Sequence, residues 1–146
     1  MRLWLALVGG VVALLCLGGV GVAVSLYDNA TKINRSAPDA VVDNFLRAYL
    51  VNRDDKEAAL YECKSGADLT RIAALRSDVL GREKHYSIAI RFTWTSLTIE
   101  TVAGRTTVST DVFRAISDGS ERTSDRWQFQ MVNQDGWRVC GASQVS

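Results

Sequence analysis

The chain has 146 residues and a mass of 16.0 kDa, which is enough for one domain of ordinary size. Hydrophobic residues make up 47% of it, charged residues 23%, and there is one proline, a composition that excludes collagen-like and disordered classes. A net charge of +1 argues against a nucleic-acid-binding protein, so no nucleic-acid partner is expected. One histidine and three cysteines are too few soft ligands for a zinc finger or metal cluster, so no metal or cofactor is expected.

An apolar run without charges occupies residues 3–26 and is long enough to cross a bilayer core of about 30 Å. Trp4 and Tyr27 stand at its two ends, where aromatic rings favour the membrane interface. The sequence therefore predicts a short cytoplasmic start and transmembrane anchor over 1–27, a tether over 28–37 and an exported domain over 38–146. This organisation predicts a single-pass protein of the cytoplasmic membrane with its carboxyl-terminal domain outside the cytoplasm. The alternative is a cleaved signal peptide, although its apolar core would exceed the usual length of roughly 7–15 residues.

Three helices are expected at the start of the exported domain. The first begins around Ser36 and Pro38, and its apolar side chains recur at the i, i+3, i+4, i+7 spacing of one helix face: Val42, Phe45, Leu46 and Tyr49. The second begins at Asp54 and Asp55 and carries Ala59, Leu60 and Cys63 on one face. The third begins at Asp68 and is predicted to end at Gly81.

From residue 85 onward the hydrophobic period changes from 3.6 to 2, which indicates half-buried antiparallel strands. Strands are predicted over 85–94, 97–102, 106–116, 126–131 and 137–140, with short turns between them. Helices followed by a strand meander predict an α+β fold, in which three helices pack on a curved antiparallel sheet of four to five strands.

This order of elements, with FLRAYLVNRDDKEAALYEC in front and DGWRVCG at the end, resembles the cystatin-like cone of the nuclear transport factor 2-like superfamily. The resemblance covers Pro38 to Gly141 and implies a sheet that wraps over helices to leave a conical cavity. An anchor followed directly by such a domain also resembles two groups of envelope proteins. These are the Mce-associated membrane proteins of actinobacteria and the single-span assembly factors of conjugation and type IV secretion machines.

Two cysteines, Cys63 and Cys140, lie outside the predicted anchor. In an oxidising compartment they are expected to form a disulfide, which closes a loop of about 78 residues and stabilises the fold by roughly 4 kcal/mol. The alternative is two separate reduced thiols. Strand parity puts Cys140 on the face opposite to Trp137 and Val139, so the pairing needs a bulge or a frayed strand end.

Some cone-fold relatives are isomerases and dehydratases that use Asp, His or Tyr in the cavity. The candidates for cavity lining here are Tyr49, Tyr61, Tyr86 and Asp111, with ordinary core or surface positions as the alternative. His85 is expected at the solvated start of the first strand. No catalytic residue is predicted, and the chain is not expected to be an enzyme.

These features predict a non-catalytic accessory or assembly subunit of an envelope transport or secretion complex. Its expected partners are the cell membrane and an envelope protein complex or further copies of itself. The alternative is a domain that binds a small apolar ligand, or a cone of the isomerase or dehydratase type. A filled cone with a flat apolar outer sheet face favours assembly, for which Trp94, Trp127 and Trp137 are available. A pocket of roughly 300 Å³ or more with converging polar groups favours the ligand.

Overall fold

The computed structural model describes residues 33–146, which comprise the predicted exported domain and the end of the tether. The predicted anchor over 1–27, with Trp4 and Tyr27, lies outside the described residues. Within the described part of the chain, no helix has the length and apolar character needed to cross a membrane. Residues Asn34–Ser146 form one unit with its own core.

Helix α1 spans Pro38–Leu46 and passes directly into a π-helical segment, Arg47–Asn52. Proline in the first turn suits a helix start because its missing N–H is not needed there. Arg53 ends the π-helical segment in the left-handed conformation, with φ 57°. The predicted first helix is therefore confirmed, with a π-helical last part.

Helix α2 spans Asp55–Ala59 and is shorter than predicted. Its first turn is capped by Asp54, whose side chain accepts hydrogen bonds from the Lys56 and Glu57 amides at 2.9 and 3.0 Å. The helix stops before Cys63, so the prediction that this cysteine lies on the second helix is wrong. Cys63 instead follows it, on a segment that pairs with the last strand.

Helix α3 spans Thr70–Tyr86 and continues beyond its predicted end at Gly81. Glycine inside a helix costs about 1 kcal/mol relative to alanine, which weakens the helix at Gly81 without breaking it. A Cβ atom at this position would meet nothing within 4 Å. The left-handed cap is Ser87, with φ 53°. His85 therefore lies in the last turn of α3, where a basic side chain suits the helix end, and the expectation that it starts a strand is wrong.

Five strands form one antiparallel sheet: β1 (Ile90–Trp94), β2 (Thr98–Val102), β3 (Arg105–Ile116), β4 (Arg122–Asn133) and β5 (Trp137–Val145). The order is β1-β3-β4-β5, and β2 pairs with β3 beside β1. Trp94 pairs with Val112 and Thr98 with Ser109, so three residues between β1 and β2 face two residues of β3. This extra residue interrupts the edge strand, as a bulge does. The predicted α+β fold with three helices and a five-stranded antiparallel sheet is confirmed.

The core lies between the helices and the inner face of the sheet. Val108, Val112 and Phe129 are at most 1% exposed there. The Phe45 ring of α1 lies with its centroid 5.4 Å from that of Tyr49 and 6.3 Å from that of Phe129. The aromatic rings therefore fill the centre of the domain.

The three tryptophans of the described domain differ in their surroundings. Trp127 is 2% exposed in the core, whereas Trp94 and Trp137 are half-buried. The Trp94 indole N–H donates to Asp43 Oδ1 at 2.8 Å and ties β1 to α1. The outer face of the sheet carries mainly polar side chains, including Thr107, Ser109, Arg126, Gln128 and Gln130. It is not the flat apolar surface that would favour docking through this face.

Candidate functional site

A groove with a volume of about 390 Å³ lies between the end of α3 and the neighbouring ends of β1, β3 and β4. Its walls are mainly apolar, with polar groups on the sheet side and at the rim. The lining residues are Val79, Arg82, Tyr86, Ile88, Ile90, Arg114, Ala115, Ile116, Glu121 and Thr123. A volume above roughly 300 Å³ is within the range of small-molecule sites.

The junction between α3 and β1 shapes one wall of this groove. Glu83, in the last turns of α3, accepts a hydrogen bond from the Ile90 amide at 2.8 Å. Its carboxylate also pairs with Arg53, with a closest distance of 2.8 Å between Arg53 Nη1 and Glu83 Oε2. The hydrogen bond from Arg53 lowers the pKa of Glu83 from its usual value. Glu83 therefore holds the start of β1 against the helix end and brings Ile88 and Ile90 to the groove.

Arg114 supplies the polar floor of the groove. It forms an ion pair with Asp125, and the two side chains are 23% and 21% exposed. Gln144 Nε2 donates to Asp125 Oδ1 at 2.7 Å and so fixes the carboxylate from β5. Arg114 Nε is buried and has no hydrogen-bond acceptor among the described residues. Thr123 lies opposite Arg114 in the β3–β4 register, so its hydroxyl adds a second polar group to the floor.

The rim of the groove is more exposed. Tyr86 is 65% exposed, and its ring lies edge-on to His85 with centroids 4.6 Å apart. Arg82 forms an ion pair with Asp78 at 3.1 Å, one helical turn away. Such an exposed pair contributes little to stability.

The four predicted cavity-lining residues do not converge on one site. Tyr86 lines the groove. Tyr49 lies on the π-helical segment, and the Arg76 guanidinium carbon lies over its ring, 4.6 Å from the ring centroid. Tyr61 is 9% exposed and borders β5, where its carbonyl accepts the Val139 amide. Asp111 lies on the outer face of β3, opposite Arg126.

Arg114, Glu121 and Thr123 were not among the site residues predicted from the sequence. One signal was available for Arg114, which shares strand parity with the buried Val108 and Val112. A charged side chain at an inward-facing position must be paired, and it often marks a site. Glu121 follows a turn and Thr123 lies near the start of β4, so no local pattern distinguishes them.

Cys63 and Cys140 form a disulfide, with Cα atoms 5.0 Å apart. The segment from Tyr61 to Asp68 lies along the edge of β5 and exchanges backbone hydrogen bonds of 2.8–3.1 Å with it. Bridges join Glu62 to Val139 and Asp68 to Gly141. This edge of the sheet is therefore covered and covalently held, and the predicted disulfide is confirmed as a cysteine pair at bonding distance.

The opposite edge of the sheet, at β2, is not covered by another segment of residues 33–146. All five residues of β2 are exposed, with Ile99 at 45% and Val102 at 71%. No strand of residues 33–146 other than β3 pairs with it. Natural proteins usually cover such an edge, because its free N–H and C=O groups pair readily with another chain.

Comparisons with protein-family models, with curated proteins and with solved structures found no match to this chain. The resemblance to the nuclear transport factor 2-like superfamily and to envelope proteins therefore stays a prediction from the sequence. Three helices before a five-stranded antiparallel sheet are compatible with it, but many α+β domains share that order. Within residues 33–146, no three His, Cys, Asp or Glu side chains are grouped so that they could hold a metal ion.

Proposed function

We propose that this chain is a membrane-anchored accessory subunit of an envelope transport or secretion complex, with its domain outside the cytoplasm and no catalytic role. The apolar run over 3–26 supports the anchor. The Cys63–Cys140 pair supports an oxidising location, because disulfides persist mainly outside the cytoplasm. An anchor confines a domain to the membrane surface and raises its effective concentration for partners there.

The observation that carries the assembly role is the difference between the two sheet edges. The segment from Tyr61 to Asp68 covers β5, whereas no strand or segment of residues 33–146 pairs with the free edge of β2. The sequence of β2 is TIETV, in which four of the five residues are β-branched and so favour a strand that pairs with another. In strand addition, backbone hydrogen bonds to such an edge provide affinity, and side chains on alternate positions provide specificity.

The proposed occupant of this edge is an extended segment of a partner protein. Symmetric antiparallel pairing of two β2 strands would place Glu100, the central residue, opposite its own copy, and like charges directly opposite each other are destabilising. Glu100, at the centre of β2, has no ion pair within the described part of the chain. A partner segment with Lys or Arg opposite Glu100, flanked by apolar residues, fits both features.

Site-specific photo-crosslinking in the protein's own membranes tests this role. A photo-reactive phenylalanine analogue is placed in the intact chain at Ile99, which is 45% exposed, or at Val132 on the outer face of β4, which is 44% exposed. We expect subunits of one envelope complex to be captured from position 99 and not from position 132. Equal capture from both positions contradicts docking at β2. Capture of the chain by itself alone replaces the accessory role with a homo-oligomer.

The charge of Glu100 provides a second test of the same contact. Glu100→Lys should lower recovery of the partner about fivefold or more, because like charges would then face each other across the new strand pair. Glu100→Gln should have an intermediate effect. Asp118→Lys is the control, since Asp118 is also exposed but lies in the turn between β3 and β4, at the other end of the sheet. Equal losses in the two lysine variants would argue against a contact at β2.

The second candidate function is a domain that binds a small apolar ligand, or an isomerase or dehydratase of the cone type. The groove of about 390 Å³ beside α3 favours it. Arg114 and Thr123 on its floor and Glu121 at its rim are the polar groups that would orient a ligand. Ligand retention by the purified chain, lost when Ile88 is replaced by Asp, would support this candidate.

A further inference from the structure

The groove beside α3 has the composition of a ligand site with one polar end. Val79 and Tyr86 from α3, Ile88 from the following loop, and Ile90 and Ile116 from the sheet form its apolar walls. Arg114 and Thr123 lie together on the sheet side. A molecule in this groove would therefore place its apolar body against the isoleucines and a polar group against Arg114.

Arg114 retains hydrogen-bonding capacity toward the groove. A guanidinium group carries five N–H donors, and Nη2 of Arg114 donates to Asp125. Arg114 lines the groove, and 23% of its side chain is exposed. Gln144 holds the Asp125 carboxylate, and Asp125 in turn holds the Arg114 guanidinium in place before any ligand arrives. Such preorganisation reduces the entropy cost of binding.

The charges at the groove are balanced except at one position. Arg114 is paired with Asp125 and Arg82 with Asp78. Glu121 is the remaining charged lining residue, and it has no ion pair within residues 33–146. A carboxylate or phosphate in the groove would be repelled by Glu121, with no unpaired cation to offset the repulsion. An ammonium group would be repelled by the guanidinium groups of Arg82 and Arg114. A neutral oxygen acceptor avoids both costs.

We propose that the groove binds a neutral molecule with an apolar body and one terminal hydrogen-bond acceptor, a carbonyl or hydroxyl oxygen, that lies against Arg114. This site is separate from the β2 edge. β4 runs from the groove at Thr123 to Gln128, which pairs with Ser109 opposite Thr98 at the near end of β2, a distance of about 17 Å along the strand. The inference deepens the second candidate function and does not depend on the assembly role, so each can fail while the other stands.

Methyl NMR on the intact chain, labelled at isoleucine and held in lipid nanodiscs, tests the proposal. Ile88, Ile90 and Ile116 report on the groove, whereas Ile72 in the core and Ile99 on β2 are internal controls. The probes are 2-decanone, decanoate and decylamine, which share a similar chain and differ in charge. We expect 2-decanone to shift the groove methyls selectively and to bind at least about fivefold more tightly than either charged probe. Tighter binding of decanoate or decylamine, or equal shifts at Ile99, would overturn the proposal.

Two variants separate binding from folding. Arg114→Lys keeps a cation beside Asp125 but loses the planar fork of donors, and it should weaken 2-decanone binding about fivefold. Ile88→Asp places a charge in the apolar wall and should abolish binding. An unchanged Ile72 methyl signal in both variants shows that the core is intact. Binding of 2-decanone that survives Arg114→Lys undiminished would overturn the assignment of Arg114 as the polar contact.

Discussion

Cys140 is the extra residue of a β-bulge, and its sulfur is bonded to Cys63 on the segment that covers β5. In the β4–β5 register Gln130 pairs with Gly141 and Met131 pairs with Val139, so Cys140 has no opposite residue. The bulge also changes strand parity, because Val139 and Ala142 are both buried, at 0% and 6% exposure. Strand parity predicted a bulge or a frayed strand end for this pairing, and the register shows that it is a bulge.

Removing this bond should destabilise the domain and expose the β5 edge. We expect the double variant Cys63→Ser, Cys140→Ser to lose about 4 kcal/mol of unfolding free energy, because the bond closes a loop with a sequence separation of 77. Thermal unfolding of the full chain, followed by near-UV circular dichroism with and without reductant, measures the loss. The amides of Val139 and Ala142, which donate to Tyr61 and Asp68, should exchange faster with solvent.

Reductant provides the matched control for that prediction. Wild type in reductant should unfold at the temperature of the double variant, and the double variant should not respond to reductant. Cys16→Ser should unfold like wild type, since Cys16 is the cysteine outside this pair. A wild-type protein that is insensitive to reductant would show that the bond does not limit stability.

The buried faces of the helices and strands could be predicted from the sequence because they follow the periods of 3.6 and 2. Phe45, Val108, Val112 and Trp127 lie in the core for that reason. The end of α3 could not be predicted, because Gly81 is a common helix-stop signal that this helix continues through. The junction is set by tertiary contacts of Glu83 with Arg53, 30 residues away in sequence, and with the Ile90 amide.

The candidate groove was less predictable than the core. It joins residues from α3, β3 and β4, such as Tyr86, Arg114 and Glu121, that become neighbours only when the strands pair. Local patterns carry no information on such juxtapositions. Only the inward parity of Arg114 gave a hint, and reading it required the buried face of β3 to be known first.

Replacing Glu83 should destabilise the domain in a pH-dependent way. Both carboxylate oxygens bond to Arg53, at 2.9 and 2.8 Å, and this lowers the pKa of Glu83. A lowered pKa means that the ionised group stabilises the fold above its unfolded pKa, and that this stability is lost as pH falls. Glu83→Gln should cost about 1–3 kcal/mol near neutral pH and progressively less in acid. A double-mutant cycle with Arg53→Gln isolates the pair, and additive losses would contradict the coupling.

Replacing Glu62 should have the opposite effect. Burial, and to a lesser degree the charge of Asp55, raise the pKa of Glu62. A raised pKa means that the folded state favours the protonated group, so stability from this site falls as pH rises through the folded-state pKa. Glu62→Gln should therefore stabilise the domain by roughly 0.5 kcal/mol near neutral pH, with no gain in acid. Thermal unfolding across pH measures this, and a gain of equal size in acid would exclude ionisation of Glu62 as its cause.

Gly136 should tolerate a methyl group less well than Gly119, although both have positive φ angles, 105° and 79°. A Cβ at Gly136 would lie 2.7 Å from Arg35 Cβ, whereas one at Gly119 would meet nothing within 4 Å. Gly119→Ala should therefore cost only the backbone strain of about 1–2 kcal/mol, and Gly136→Ala at least about 1 kcal/mol more. The added methyl should also displace Arg35, whose carbonyl accepts the Trp137 amide at 2.9 Å, so that this amide exchanges faster. Thermal unfolding and hydrogen exchange measure both effects. Equal costs at the two glycines would mean that the Arg35 segment moves away from the added methyl at no measurable free-energy cost.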